Sequence, residues 1–319
     1  MGRQDNGNAN GRFVLGEYVD ELLDGMRKSL PKALENADGK AVHQTRVATR
    51  RVRAAVELMR PLLTDGDCGA MRKVLKKVRK RLGPVRDFDV MLHQLRRLTP
   101  AKLAEARQWL IERLTEQRSA RQRDAAKRSA SKVLGKLGKW WGVCEEMSAA
   151  ADAVAFLLAQ SVHEQMDAFA EKADRLAARD EGIRQDPHEL RIAGKALRYT
   201  LEMAGIAGVQ LPKEVTRAFK RMQDALGSWH DDVVLAEWMM GTSVRQRLAH
   251  HDARLQRQVL ELAGKVLDRA ERELEKFAQM WRAEGEGLSR TVRGAFALTR
   301  TVQGLAAPLD AEAVAEPVN

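Results

Sequence analysis

The stretch HQTRVATRRVR (residues 43–53) is dense in positive charge, and its pattern returns later in the chain as HELRIAGKALR (residues 188–198). Aligned without gaps, both stretches begin with a histidine and carry Lys or Arg at the fourth, eighth and eleventh positions. A second pair of stretches, at 73–92 and 217–236, follows in the same order and at nearly the same separation. We interpret this self-similarity as an internal duplication of a helical unit of about 145 residues.

The cations of the first pair of stretches fall on one face of a helix. At about 100° per residue, each histidine and its three basic partners lie within about 80° of one another. Apolar residues such as Val52 and Leu197 fall on the opposite side, which predicts a packed face. The predicted basic face consists of His43, Arg46, Arg50 and Arg53 in the first copy and of His188, Arg191, Lys195, Arg198 and Tyr199 in the second.

The second pair of stretches predicts another basic helix face in each copy. Like charges three or four residues apart destabilise a helix by about a few tenths of a kcal/mol per pair, so selection for stability alone would alternate the signs. The repeated cations therefore favour an anion-binding surface, and an ordinary solvated face is the alternative. This second face consists of Lys73, Lys76, Lys77 and Lys80 in the first copy and of Arg217, Lys220 and Arg221 in the second, in which Asp224 replaces Lys80.

Both histidines lie near predicted helix starts. Asp186, Pro187 and Glu189 form a strong helix-start signal, which places His188 in the first turn. Free backbone N–H groups at a helix start favour an anion, and a histidine there can donate a hydrogen bond to a phosphate oxygen. The alternative is a histidine that bonds to a nearby backbone carbonyl or to water.

The composition predicts an all-α protein. Proline is scarce, aromatic residues make up 5% of the chain, and the β-branched and aromatic runs typical of strands are missing. The formal net charge of +11 predicts a polyanionic partner, which could be nucleic acid, an anionic membrane or a polymeric phosphate. Residues 40–90 carry 14 Lys/Arg against 5 Asp/Glu, whereas residues 185–235 carry 7 of each.

The chain is predicted to form one helical body at 12–285, with a first repeat at about 12–147 and a second at about 148–285. Polar and irregular sequence predicts flexible tails at 1–11 and 286–319. Breaks are expected at Gly83-Pro84, Gly227-Ser228 and Gly241. The basic segment 102–147 is read as a solvated outer face, or alternatively as a further surface for an anion, a membrane or a partner. Helices are predicted at about 12–36, 40–60, 68–83, 87–98, 100–128, 148–178, 187–205, 212–227, 230–241 and 244–283.

The two cysteines have no metal-ligand spacing, and the N-terminus lacks the apolar run of a secretion signal. The most apolar segment, at 149–159, is too short to span a bilayer. We therefore expect a reduced cytoplasmic protein with no membrane anchor, no metal and no cofactor.

The repeated stretches resemble the CHAD family, the conserved histidine α-helical domain. HQTRVATRRVRAAVELM and HELRIAGKALRYTLEM are similar to its two histidine-bearing helices, and LGPVRDFDV resembles its recurring LGxxRDxDV turn. The resemblance covers about residues 12–285. It implies two helical bundles, related by pseudo-twofold symmetry, around a central basic cavity that binds inorganic polyphosphate, and some members of the family associate with polyphosphate granules.

The resemblance also implies anion-binding roles for the residues of both predicted basic faces. The second copy departs from the family pattern in LGSWHDDVV, where His230 replaces Arg86 and Val233 replaces Asp89. These departures, together with Asp224, predict a weaker contribution from the second half.

Two other functions are weighed against polyphosphate binding. Basic helices also suit the backbone of nucleic acid, but no zinc-finger spacing or ribonucleoprotein signature occurs, and few aromatic residues could stack on bases. An enzyme acting on triphosphate or polyphosphate is the less favoured alternative. The glycine-lysine pairs lack the rest of a P-loop, and the basic faces carry no clustered carboxylates for Mg²⁺. We therefore predict a binding protein without catalysis.

Overall fold

A computed structural model describes residues 14–36, 38–98, 101–127, 129–140, 151–178 and 186–297. Within these residues all regular structure is helical, so the predicted all-α fold class is confirmed. Short 3₁₀ turns lie at Arg60–Leu62, Ala101–Leu103 and Gly138–Trp140. The helices are α1 (Val14–Glu35), α2 (Gly39–Leu58), α3 (Asp65–Arg97), α4 (Ala104–Ala126), α5 (Ala130–Leu137), α6 (Ala151–Ala178), α7 (Pro187–Ile206), α8 (Lys213–Arg245), α9 (Leu248–His251) and α10 (Ala253–Ala295).

Aspartate caps start the two histidine-bearing helices, α2 and α7. The carboxylate of Asp38 accepts a hydrogen bond of 2.8 Å from the backbone N–H of Lys40. The carboxylate of Asp186 accepts one of 2.8 Å from the backbone N–H of His188, and Pro187 follows the cap. The predicted helix start at Asp186 is therefore confirmed, since these side chains satisfy donors that have no partner inside the helix.

Three predicted helix breaks are wrong. α3 continues through Gly83-Pro84, and α8 continues through both Gly227-Ser228 and Gly241. A proline inside a helix costs about 3 kcal/mol because it has no N–H to donate. Leu82 and Val85, on either side of the proline ring, are fully buried, and each such burial contributes about 1.5–3 kcal/mol. Packing therefore outweighs the local penalty.

The last helix also differs from its predicted bounds of 244–283. α10 begins at Ala253, where Asp252 caps it, and ends at Ala295. Val244 belongs to α8 and is 70% exposed, so it does not join the apolar stripe predicted for the last helix. Regular structure thus extends past the predicted domain end at 285. The predicted tail residues 1–11 and 298–319 lie outside the described residues.

The core forms around α10, which packs along α8 and against α6. Near its middle, Phe277 and Trp281 meet Phe169 of α6 edge-to-face in the largest apolar cluster. Closer to its start, Val259 and Leu262 belong to a second cluster with α3, α4 and α8. A third, smaller cluster lies between α1, α2 and α3. α10 therefore joins the two large apolar clusters of the protein.

Several polar contacts between described residues join the first part of the chain to the second, including one from α2 and one from α3. The Nε of Arg51 in α2 donates a hydrogen bond of 2.8 Å to Glu202 in α7. Gln94 in α3 donates one of 2.9 Å to the buried Asp232 in α8, which also accepts hydrogen bonds from Arg269. α2 and α7 have 20 residues each, and α3 and α8 have 33 each. The duplication itself and the pseudo-twofold symmetry stay predictions.

Among the helices that the structure describes, none is long and apolar enough to cross a membrane.

Candidate anion-binding site

The helices α2 and α3 enclose a cavity of about 490 Å³ that is lined by basic side chains. We call it the α2–α3 cavity. Every one of its six lining residues is a lysine or an arginine, so the space presents forked and single N–H donors from two helices. The lining residues are Arg46 and Arg53 of α2 and Arg72, Lys76, Arg79 and Lys80 of α3.

The arginines of α3 follow a helical repeat along the side that faces this cavity. Arg72, Arg79 and Arg86 are spaced seven residues apart, which keeps them on one face. Burial lowers the pKa of Arg79, and the neighbouring charges of Arg53 and Arg50 lower it further. The cations are therefore close enough to repel one another, and an anion bound between them would relieve this repulsion.

The basic faces of α2 and α7 meet across the two parts of the chain. Desolvation lowers the pKa of Lys195 in α7 to about 7, and the charges of Arg191 and Arg50 add to this effect. Desolvation also lowers the pKa of Arg191, and the charge of Arg50 on α2 lowers it further. We call the group formed by Arg46, Arg50, Arg86, Arg191 and Lys195 the central cluster.

Each half places one arginine of the central cluster beside an aspartate. Arg46 lies 3.4 Å from a carboxylate oxygen of Asp87, and its side chain is 14% exposed. Arg191 lies 3.9 Å from a carboxylate oxygen of Asp231, and its side chain is 15% exposed. These aspartates partly offset the desolvation of the two guanidinium groups. The buried Nε of Arg191 makes no hydrogen bond within the described residues, so it is a donor that a ligand oxygen could use.

The two predicted histidines lie at the edges of this cluster. His43 is exposed, and its pKa is lowered by desolvation and then by the charges of Arg86, Arg50 and Arg46. The ring of His188 lies 5.3 Å from that of His230, between centroids. Desolvation and the charges of Arg191 and Lys195 lower the pKa of His230 to about 4. Within the described part of the chain, no group of three or more His, Cys, Asp or Glu side chains could hold a metal ion.

Tyr199 and the outer arginines border the cluster. Tyr199 is buried, and the guanidinium carbon of Arg198 lies 5.0 Å from the centre of its ring. Arg198 lies 3.5 Å from Glu202, and Arg53 lies 3.9 Å from Glu57 of its own helix. Both arginines keep more than two fifths of their side chains exposed. They are therefore available at the mouth of the site.

Several of the predicted residues are not brought to the cluster. Lys73 and Lys77 line a different groove, on another side of α3. In α8, Lys220 pairs with Asp224 at 2.7 Å, and Arg221 pairs with Glu284 of α10 at 2.8 Å. Arg217 is exposed. The structure therefore unites the cations of α2 and α7 with Lys76 and Lys80, while the role predicted for the other five stays a prediction.

Sequence reasoning missed three basic residues of α3. Arg72 and Arg79 line the α2–α3 cavity, and Arg86 acts electrostatically on Arg46, Asp87 and Asp231. The residues that align with them in the second part of the chain are uncharged or titratable: Thr216, Gln223 and His230. Because repetition was the main criterion, these three residues, which are basic in the first part of the chain alone, were not selected. Their seven-residue spacing was the signal that could have found them.

Comparisons with known proteins agree with this architecture. A family model described as the CHAD domain matches residues 17–240. The crystal structure of the CHAD domain from the plant Ricinus communis is similar to the present structure, with a TM-score of 0.56 and 21% sequence identity over 90% of this chain and 91% of that chain. At this identity the similarity shows the fold alone. No curated protein matches the sequence.

Proposed function

Because the chain belongs to the CHAD domain family, we propose that it binds inorganic polyphosphate in the central cluster and the α2–α3 cavity, without catalysis. The helices α2 and α7, which are far apart in sequence, pack against each other. Desolvation lowers the pKa of both Arg191 and Lys195, and the charge of Arg50 on α2 lowers both further. This convergence of two helices on one desolvated basic region carries the proposal. A single solvated basic face would not require it.

The chemistry of polyphosphate suits this region. The polymer carries about one negative charge per phosphate and has no bases to stack, so a narrow site rich in guanidinium and ammonium groups can bind it. The α2–α3 cavity offers six such groups, and it shares Arg46 with the central cluster. A flexible anion could therefore pass from the cavity to Arg50 and Lys195. Displacement of counterions would make the affinity fall steeply with salt, as it does for other polyanions.

We further propose that this binding places the protein on polyphosphate granules of the cytoplasm. Nucleic acid is the principal competitor, because it also carries a phosphate backbone. The cavity supports polyphosphate over single-stranded nucleic acid, since its lining includes no aromatic side chain on which a base could stack.

Isothermal titration with polyphosphate of defined length, against single-stranded DNA of matched charge, tests the proposal. The variant Arg50→Glu with Lys195→Glu should abolish polyphosphate binding while the helical content and the melting temperature stay near those of the wild type. The variant Lys132→Glu with Lys136→Glu changes the net charge equally on an exposed helix and should bind nearly as the wild type does. If the first variant fails to fold, Arg50→Gln with Lys195→Gln provides a milder test.

Three results would overturn the proposal. The first is equal affinity for DNA and polyphosphate over a salt titration. The second is equal loss of binding in the two charge-reversed variants, which would indicate a diffuse electrostatic effect rather than a site. The third is release of phosphate from polyphosphate by the pure protein with Mg²⁺ or Mn²⁺, which would contradict the absence of catalysis.

A further inference from the structure

A second basic groove lies on the other side of α3, between this helix and α5. Its volume is about 840 Å³, and we call it the α3–α5 groove. Leu30 and Leu34 of α1 form its floor together with Val78 of α3, and Trp140 also contributes to its lining. These four side chains are buried, whereas Val74 and Val133 on the walls are partly exposed. The apolar surface that a ligand can reach therefore belongs mainly to Val74 and Val133, above a buried apolar base.

Lysines stand on both walls of the groove. Lys73 and Lys77 belong to α3, and Lys132 and Lys136 belong to α5. Each pair is four residues apart, which corresponds to about 6 Å along the helix axis. All four are exposed, and none has an ion-pair partner within the described residues. The basic walls are thus unneutralised next to an apolar floor.

Other cations continue this pattern at the ends of the groove. Arg81 and Lys127 line it too, and Lys127 pairs with Asp124 at 2.8 Å. The lining includes one acidic residue, Asp67, whose carboxylate accepts a hydrogen bond from the hydroxyl of Thr64. Cations therefore outnumber acids by six to one among the charged side chains that line the groove.

The shape and charge of the groove discriminate among anionic ligands. A bare polyphosphate chain has no apolar part that could cover the floor. A flat bilayer could contact the exposed lysines but would not enter the groove, where the accessible apolar surface belongs to Val74 and Val133. A helix with apolar residues at i, i+3, i+4 and i+7 can place them against Val74 and Val133, while acidic side chains on both flanks meet the two rows of lysines.

From this complementarity we propose that the α3–α5 groove binds an acidic amphipathic helix of a partner protein. The site does not share a lining residue with the α2–α3 cavity. One face of α3 would therefore serve polyphosphate, while another face of the same helix recruits a protein partner. The chain would connect the two ligands without competition between them.

Fluorescence anisotropy with a labelled synthetic peptide tests this proposal. The probe is a helix of about 18 residues with leucines at helical spacing and glutamates on both flanks, and a scrambled peptide of the same composition is its control. Lys73→Glu with Lys77→Glu should weaken peptide binding about tenfold or more, while polyphosphate binding changes by about twofold at most. The matched variant Lys76→Glu with Lys80→Glu lies on the cavity face of the same helix and should show the reverse.

Several outcomes would overturn the proposal whether or not polyphosphate binds. These are undetectable binding of the ordered peptide, equal binding of the scrambled peptide, equal effects of the two double variants on peptide binding, and displacement of the peptide by polyphosphate.

Binding to vesicles of anionic phospholipid is measured as well. If the wild type binds them through Lys73 and Lys77 but ignores the peptide, the groove is a membrane contact instead. Circular dichroism verifies that each variant is folded.

Discussion

The two halves of the molecule contain the same arginine–aspartate pair, but the helices next to these pairs differ in charge. In the first half, α3 presents Arg72, Arg79 and Arg86 on the side of the α2–α3 cavity. In the second half, α8 carries Thr216, Gln223 and His230 at the aligned positions. The first half therefore combines two basic helices, whereas the second half contributes mainly the basic face of α7.

The two halves also differ in how their helices pack. At Gly194 of α7, an added Cβ would lie 2.0 Å from the Nε2 of Gln223 and 2.9 Å from the ring of Phe169, so α7 and α8 are in close contact there. The aligned position in α2 is Thr49, a larger residue. Gln223, which aligns with the cavity-lining Arg79, is thus buried and packs closely against Gly194 of α7. The comparison indicates that the first half provides most of the proposed anion site.

Charge reversal in the α2–α3 cavity should give the largest difference between the two halves. Lys76→Glu with Arg79→Glu is expected to weaken polyphosphate binding about 100-fold, because each charge-assisted hydrogen bond contributes about 1.5–3 kcal/mol. The stability of the fold should not decrease, since these cations repel their neighbours in the free protein. Isothermal titration and thermal melting measure the two effects.

The corresponding reversal in the second half is the control. Arg217→Glu with Lys220→Glu changes the net charge by the same amount on exposed positions of α8. We expect the affinity for polyphosphate to fall about threefold at most, because these two positions act on the anion only through the long-range electrostatic field. Equal losses in the two halves would contradict the asymmetry between them.

The pH dependence of binding tests the contribution of the second half. In the free protein Lys195 has a pKa of about 7, and a bound polyanion should raise it because it favours the charged amine. The affinity should therefore fall about tenfold from about pH 6 to about pH 9, since binding above pH 7 requires uptake of a proton. Lys195→Arg keeps its charge over this range and should remove the effect.

The free energy of unfolding should rise with pH, whereas the affinity for polyphosphate should fall. The ordinary pKa of lysine is 10.5, so between about pH 7 and pH 10.5 the unfolded chain holds a proton at Lys195 that the folded chain does not. The free energy of unfolding contributed by this group must then increase as the pH rises through that window. If the affinity of the wild type for polyphosphate does not change between about pH 6 and about pH 9, as expected for Lys195→Arg, then Lys195 is not part of the site.

Two glycines in aligned motifs allow a smaller and more local test. An added Cβ at Gly83 would lie 2.9 Å from Nη1 of Arg46, whereas nothing lies within 4 Å of an added Cβ at Gly227. Gly83→Ala should displace the guanidinium of Arg46 and weaken binding about threefold. Gly227→Ala should leave binding unchanged and raise stability by about 0.5–1 kcal/mol through helix propensity. Calorimetric titration and denaturant unfolding of both variants check this pair, and equal affinities would contradict the role assigned to Arg46.

Much of this arrangement could be predicted from the sequence because helical periodicity and the repeat acted together. The cations of α2 and α7 were selected by both criteria, and these two helices do pack against each other. The continuity of α3 through Gly83-Pro84 could not be predicted in this way. Gly83 makes room for Arg46, and the burial of Leu82 and Val85 keeps the helix continuous. A local turn signal carries no information about such long-range contacts.

The sequence also could not predict which lysines of α3 point to the α2–α3 cavity. The four lysines span about 100° of a helical wheel, and periodicity alone cannot say where the centre of the binding face lies. In the structure, Lys76 and Lys80 point to the α2–α3 cavity, whereas Lys73 and Lys77 point to the α3–α5 groove. The position of α5 decides this division, and no repeat of the sequence encodes it.

A crystal structure of the protein with polyphosphate of defined length would test the central claim most directly. The account predicts one continuous phosphate chain, with oxygens within hydrogen-bond distance of Arg79 and Arg50 in the first half and of Lys195 in the second. Phosphates bound only to exposed lysines outside the central cluster and the α2–α3 cavity would contradict it.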